Sequence, residues 1–275
     1  MLPLLLVLAA APRSPTKAPL DASKVPALVK ALRAAPTEAA CVDAASGAFL
    51  GTPYVLDPLG EGPGTAPDPD PTVRYDAVDC VTYVAEVLAL CRARDAAQVP
   101  AVLQAIRYRG TAATYADRNH FMESGWVPSN TRKGFVRDIT AQVAGADLTH
   151  DARTVTLATW HHRTDAAQLT LPDDRAPVGH FDLQYLPLDK VMAHARDIPS
   201  GAILLVAHQS GPRATNRISH LGFAIRRGGE VFVRHASSLR HQVIEDPLAA
   251  FVRKDQRYKR WPVEGYVFLR PLPAK

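Results

Sequence analysis

The stretch from Ser219 to His235 admits few conformations. Ser219-His220-Leu221-Gly222-Phe223-Ala224-Ile225 alternates bulky apolar residues with small or polar ones, Arg227-Gly228-Gly229-Glu230 supplies two adjacent glycines, and Val231-Phe232-Val233-Arg234-His235 alternates again. Period-2 alternation on both sides of a Gly-Gly pair predicts a β-hairpin, because the two-residue turns that match strand twist need positive φ, which glycine adopts freely. If Gly228 and Gly229 form the loop, Gly222 faces His235 and Leu221 faces Ala236. His220 then shares a face with His235 one diagonal step away, at about 7–8 Å, within reach of two imidazoles. A slip of one residue would put the two histidines on opposite faces.

Helical signals come earlier in the chain. Val25, Leu28, Val29 and Leu32 recur at helical spacing before Pro36, an Ala-rich segment runs from Thr37 to Leu50, and another helix is predicted over Ala97–Arg107. Between Asp57 and Pro71, five prolines and three glycines in fifteen residues forbid regular structure and predict a surface loop. From Cys80 to Arg94, residues Cys80, Val84, Val87, Leu88 and Cys91 line one helical face, Asp79 stands at the N-cap, and Arg92 and Arg94 sit in the last turn, where cations suit the dipole. Strand patterns dominate later, in Thr154–Thr159, Ala202–Ala207, Leu221–Ile225, Val231–Val233 and Tyr266–Leu269. Helices first and strands later make the fold class α+β.

The N-terminal Met1 to Ala11 is apolar, too short to span a bilayer, and ends in small residues, which reads as a signal-like segment lacking a basic start. We divide the chain into this segment (1–11), an N-terminal lead-in (12–36) and a single domain (37–275). No later run approaches the length of a transmembrane helix, so no stable membrane insertion is expected. The net charge is +5, but the basic residues are scattered, so nucleic-acid binding is not indicated. A mildly positive surface suits a carboxylate-rich partner such as a cell wall.

Three cysteines leave one over in an exported chain. Cys80 and Cys91 cannot pair, because eleven helical residues separate them by about 16 Å. Cys41 could bridge Cys91, leaving Cys80 free, or bridge Cys80 and silence it; alternatively all three stay reduced. A free Cys80 at a helix start would have its thiolate favoured by the helix amides and dipole. Cysteine catalysis needs a base within reach of the thiol and a third group that orients the base, roles open to His220 and His235. His161-His162 and His180-Phe181-Asp182 raise a metal alternative, but no zinc-binding spacing occurs and no metal site is expected. His150, His194, His208 and His241 read as surface residues.

These residues resemble a known family. Gly51-Thr52-Pro53-Tyr54, then Asp79-Cys80 opening a helix, then Ser219-His220-Leu221-Gly222-Phe223-Ala224-Ile225, then His235-Ala236-Ser237 look, in that order, like the NlpC-type papain-like cell-wall hydrolases. Compact members have a far shorter interval than the 140 positions between Cys80 and His220. Arg107-Tyr108-Arg109-Gly110, Arg118-Asn119-His120-Phe121, Trp126 and Asn130 resemble the larger bacterial branch labelled N-acetylmuramoyl-L-alanine amidase-like, with an insertion at about 108–197. The resemblance covers about residues 40 to 270. One departure is the absence of the Gly-Gly that follows the tyrosine motif in compact members; Val55-Leu56-Asp57-Pro58 stands there.

The resemblance implies a papain-like fold with the nucleophile helix packed on an antiparallel β-sheet. Cys80 would be the nucleophile, His220 the base and His235 its orienter, with Tyr54 lining the site. Arg118, His120 and Trp126 would either contact substrate or organise the insertion; an arginine can grip a carboxylate and a tryptophan can stack on a sugar. The implied activity is cleavage of an amide in peptidoglycan or muropeptides, foremost between N-acetylmuramic acid and L-alanine, by a bacterial protein in the periplasm or outside the cell. The alternatives are a γ-D-glutamyl endopeptidase acting on the peptide stem and a non-catalytic wall-binding module. No cofactor is implied, and no regulatory partner is named.

Overall fold

In the computed structural model, which describes residues 19–164, 169–211 and 214–273, the chain enters through two short helices. Val25, Val29 and Leu32 form the buried stripe of α1 (Val25–Arg33), and Pro26 sits in its first turn, where a missing N–H costs no hydrogen bond. α2 (Glu38–Ala48) starts at Thr37, whose side chain accepts from the Ala40 amide. The signal-like residues 1–11 lie outside the described residues.

The third helix, α3 (Cys80–Arg92), is buried at every position from Thr82 to Cys91, well beyond the single face its periodicity predicts. It lies between α2, α4 (Val99–Arg107) and the sheet, so it is covered on several sides. Cys41 of α2 is bonded to Cys91 of α3, with Cα atoms 5.9 Å apart, and Cys80 is left as a free, buried thiol. The pairing that the spacing left open is thereby decided.

Next come α5 (Val127–Arg132), preceded by a π-helical turn at Met122–Trp126, then β1 (Val136–Asp138), α6 (Thr140–Ala144), β2 (Thr149–Val155), α7 (Leu157–His161) and β3 (Gly179–Pro187). The predicted strand at Thr154–Thr159 is corrected here. β2 ends at Val155, and the Thr156 hydroxyl accepts from the Thr159 amide to cap α7. A threonine that can cap a helix outweighed the strand propensity of its β-branched neighbours. The chain closes with β4 (Ile203–His208), β5 (Ile218–Arg227), β6 (Glu230–Ser237), β7 (Gln242–Pro247), α8 (Leu248–Arg257) and β8 (Val263–Pro271).

Among the described residues the strands form one eight-stranded sheet in the order β2-β3-β8-β4-β5-β6-β7, with β1 also paired to β8 and every pair antiparallel. The hairpin register is the predicted one: Arg227 pairs with Glu230 and Phe223 with Arg234, across Gly228 and Gly229 at φ of +55° and +87°. Alternation sorts the side chains into two cores. Leu205, Leu221, Phe223, Ile225 and Val267 pack under α1–α4, while Leu204, Val206, Ala224, Val233 and Phe268 pack against Leu248, Phe251 and Val252 of α8. The architecture is α+β. No helix among the described residues is long and apolar enough to cross a membrane.

Candidate active site

Asp79 builds the start of α3. One carboxylate oxygen accepts from the Val81 and Thr82 amides at 2.9 and 2.7 Å, and the Thr82 hydroxyl accepts from the Asp79 amide at 2.9 Å. The other oxygen accepts from the Asp57 amide at 3.1 Å, which ties the preceding loop to the cap. Cys80 follows directly, at 9% exposure.

The thiol does not have the depressed pKa its helix position predicts. Burial, and next the charge of Asp79, push it up to about 12, against the favourable amides of Leu221, Cys80 and Val81. Sequence reasoning counted the helix amides and missed the desolvation. The resting group is a neutral thiol, so a base must remove its proton during attack. The sulfur meets β5 at the Leu221 amide, one residue along the strand from His220.

On the strand pair itself, His220 Nε2 lies 2.8 Å from His235 Nδ1, with the rings perpendicular and their centroids 4.9 Å apart. Gly222 permits this approach. A Cβ on it would stand 2.9 Å from both the Arg234 carbonyl oxygen and the His235 Cβ. Phe251 of α8 packs face to face on His220 and edge-on against His235. Burial is the largest influence on both imidazoles and drives their pKa values below the ordinary histidine range, so both are neutral at pH 7.

His235 has a second partner that sequence reasoning missed. Its Nε2 lies 3.3 Å from Asp246 Oδ2 on β7. The signal was weak, since Gln242-Val243-Ile244-Glu245-Asp246-Pro247 alternates only partly and ends in a charged pair before proline.

Tyr54 borders the cysteine. Its amide donates to the His241 carbonyl at 2.9 Å, docking the Gly51–Tyr54 segment against the start of β7. Burial, then the neighbouring Cys80 and Asp79, push its phenol up to about 12, which keeps it a hydrogen-bond donor.

Arg118, His120 and Trp126 are each engaged in contacts of their own, and Arg118 is linked to the Asp79 cap through Asp57. The Arg118 guanidinium contacts Glu61 and Asp68, each at 2.7 Å, and Asp57 at 3.3 Å, while Arg107 donates to the carbonyls of Leu59 and Gly60. These bonds hold the proline- and glycine-rich loop that the sequence predicted to lack regular structure. His120 Nε2 donates to the Tyr115 carbonyl at 2.7 Å, and burial lowers its pKa to about 4. Trp126 is 1% exposed within the core under α3.

His161 contacts Asp173 and His180 contacts Thr154; among the described residues no group of three or more His, Cys, Asp or Glu side chains is placed to hold a metal ion. His208 is corrected from surface to core: it is 3% exposed, stacked on Trp261 at 4.0 Å and bonded to Ser219. Its aromatic covering comes from a segment more than fifty positions away, which local pattern does not reveal.

A family model described as AmiA-like, N-acetylmuramoyl-L-alanine amidase-like, matches residues 44–258. The chain belongs to this amidase-like family. Its match includes Tyr54, Cys80, His220, His235 and Asp246. A solved structure from Legionella pneumophila, of the family DUF1460, is similar at 26% identity and a TM-score of 0.79, covering 92% of this chain and 95% of that one. An N-acetylmuramoyl-L-alanine amidase from Bacteroides uniformis is similar in fold at 21% identity and a TM-score of 0.67, covering 86% and 99%. No curated protein matches the chain. Amidase-like membership indicates hydrolase activity on a peptidoglycan-type substrate.

Proposed function

We propose that this amidase-like protein is an exported, papain-like cysteine hydrolase that cuts the amide between the lactyl group of N-acetylmuramic acid and L-alanine in peptidoglycan or muropeptides. The observation that carries the reading is a free thiol at the head of a buried helix, hydrogen-bonded to the strand residue next to the His220–His235 pair. His220 removes the thiol proton as the sulfur attacks the carbonyl. The carbon–nitrogen bond then breaks, the leaving amine takes that proton from His220, and water hydrolyses the thioester. The Cys80 amide and the Tyr54 hydroxyl are the donors offered to the oxyanion. Tyr54 also lines the substrate path, while Arg118, His120 and Trp126 act by shaping the loop and the insertion. The Cys41–Cys91 bond suits an oxidising compartment such as the periplasm.

The test is incubation of the protein and its Cys80→Ala variant with defined muropeptides, with products read by mass. The proposal expects free L-alanine-headed peptides from wild type alone. Cleavage within the stem by wild type alone would replace the bond by the endopeptidase one. Equal turnover by both proteins would remove Cys80 from the chemistry.

A further inference from the structure

The Asp246 contact fixes more than the position of a ring. We propose that Asp246 is a positioning residue that sets the direction of the hydrogen bonds through His235 to His220, so that the Nδ1 atom of His220 carries the lone pair that takes the thiol proton. This rests on the cysteine-hydrolase reading above and deepens it.

A carboxylate only accepts hydrogen bonds, so the ring atom facing Asp246, His235 Nε2 at 3.3 Å, must carry a hydrogen. The Asp246 carboxyl is held below the usual carboxylate range, first by this hydrogen bond, and is ionised wherever the pair is neutral. A neutral imidazole has one N–H, so His235 Nδ1 is an acceptor. Facing that acceptor at 2.8 Å is His220 Nε2, which must therefore donate. His220 is neutral too, and its one hydrogen is now spent. Its Nδ1 is the single basic nitrogen left in the chain of three residues.

The surroundings favour this order. His235 is 2% exposed and Phe251 packs against both rings, so water has little access to the His235 nitrogens, while His220 is half-buried. The charged groups facing them are Lys254 and Asp255 from α8, and Arg240 from the β6–β7 turn faces Asp246. Lys254 opposes a proton on either ring, and its ammonium sits 4.0 Å over the Phe251 ring. Asp246 is the group whose acceptor-only chemistry distinguishes one tautomer from the other. A carboxamide at this position loses that distinction: its NH2 can donate to His235 Nε2, which moves the ring hydrogen to Nδ1, turns His220 Nε2 into an acceptor and places the His220 hydrogen on Nδ1, where it blocks the base.

The experiment compares wild type, Asp246→Asn and Asp246→Glu as full chains. Histidine tautomers are read by long-range nitrogen–proton NMR, assigned with His220→Gln and His235→Gln, beside muropeptide turnover across pH. We expect Nε2–H at both rings in wild type and a shift to Nδ1–H in Asp246→Asn. In that variant kcat falls about 10²- to 10⁴-fold with KM little changed, as for other wrong-tautomer triads. Asp246→Glu, which keeps an acceptor, should keep the wild-type tautomers and recover part of the rate. Nδ1–H on His220 in wild type would overturn the proposal, as would Asp246→Asn turning over within about threefold of wild type, or losing activity with unchanged tautomers. The wild-type tautomers are read without substrate. An error in the assigned substrate or nucleophile would show separately, as full activity in Cys80→Ala or as cleavage of a different bond.

Discussion

Gly222 and Glu86 show how single residues set the terms of the site. A methyl group at Gly222 would have to displace the Arg234 carbonyl oxygen and the His235 Cβ, both 2.9 Å from the new carbon, and backbone cannot yield as a flexible side chain does. We expect Gly222→Ala to cost about 1–3 kcal/mol by overpacking and to separate the histidine pair, giving a lower denaturation midpoint together with a loss of turnover. Glu86, wholly buried on α3, is pushed well above the ordinary carboxyl range, chiefly by burial. Its folded form holds a proton that the unfolded chain releases above about pH 4.5, so stability declines as pH rises toward the folded value. Glu86→Gln, neutral at every pH, should flatten that decline, raising the melting temperature at pH 8 more than at pH 5; an equal or opposite change would show the carboxylate to be ionised in the fold. Neither role follows from residue type alone. The glycine's partner was legible because hairpin arithmetic names it, whereas the glutamate's burial depends on elements packed over α3.

At the scale of elements, α3 is held from outside by α2 through the Cys41–Cys91 bond. That bond spans 50 positions, for which loop entropy gives about 4 kcal/mol. Replacing both cysteines by serine should lower stability by about that amount, while Cys80 remains titratable by a thiol reagent in the unfolded protein; unchanged stability would mean that packing alone holds the two helices. Much of the element layout was legible. α1, α2, α3 and the β5–β6 hairpin carry unbroken periodicity, and Asp79 supplies the cap its position predicts. The misses are of two kinds: β2 and β7 are largely polar and Thr156 caps a helix inside a β-branched run, whereas β3 alternates at Phe181, Leu183 and Tyr185 and went unread despite its pattern. Element patterning therefore brought His220 to His235 but gave no hint of Asp246, which sits on one of the unread strands.

For the molecule as a whole, the region of residues 108–197 does more than lengthen the chain. Its β1 and β3 both pair with β8, which is itself paired to β4, so this region completes the sheet that carries the histidines. Arg118 from this region, and Arg107 at the end of α4 just before it, reach to the loop ahead of the Asp79 cap. The pair of neutral histidines, His235 buried and His220 half-buried, also sets a response of the entire fold to acid. Their folded pKa values are depressed, so below about pH 6.5 the unfolded chain binds protons the native one refuses, and stability is lost as pH falls. Between pH 7.5 and 5, wild type should lose more of its melting temperature than His220→Gln; equal losses would place the acid sensitivity elsewhere.

The most direct measurement is the intact mass of the protein quenched during turnover of a muramoyl peptide, followed by peptide mapping. The account predicts an N-acetylmuramoyl thioester on Cys80, absent from Cys80→Ala. A larger adduct retaining L-alanine and D-glutamate would contradict the assigned bond, and turnover by Cys80→Ala at the wild-type rate would contradict the nucleophile.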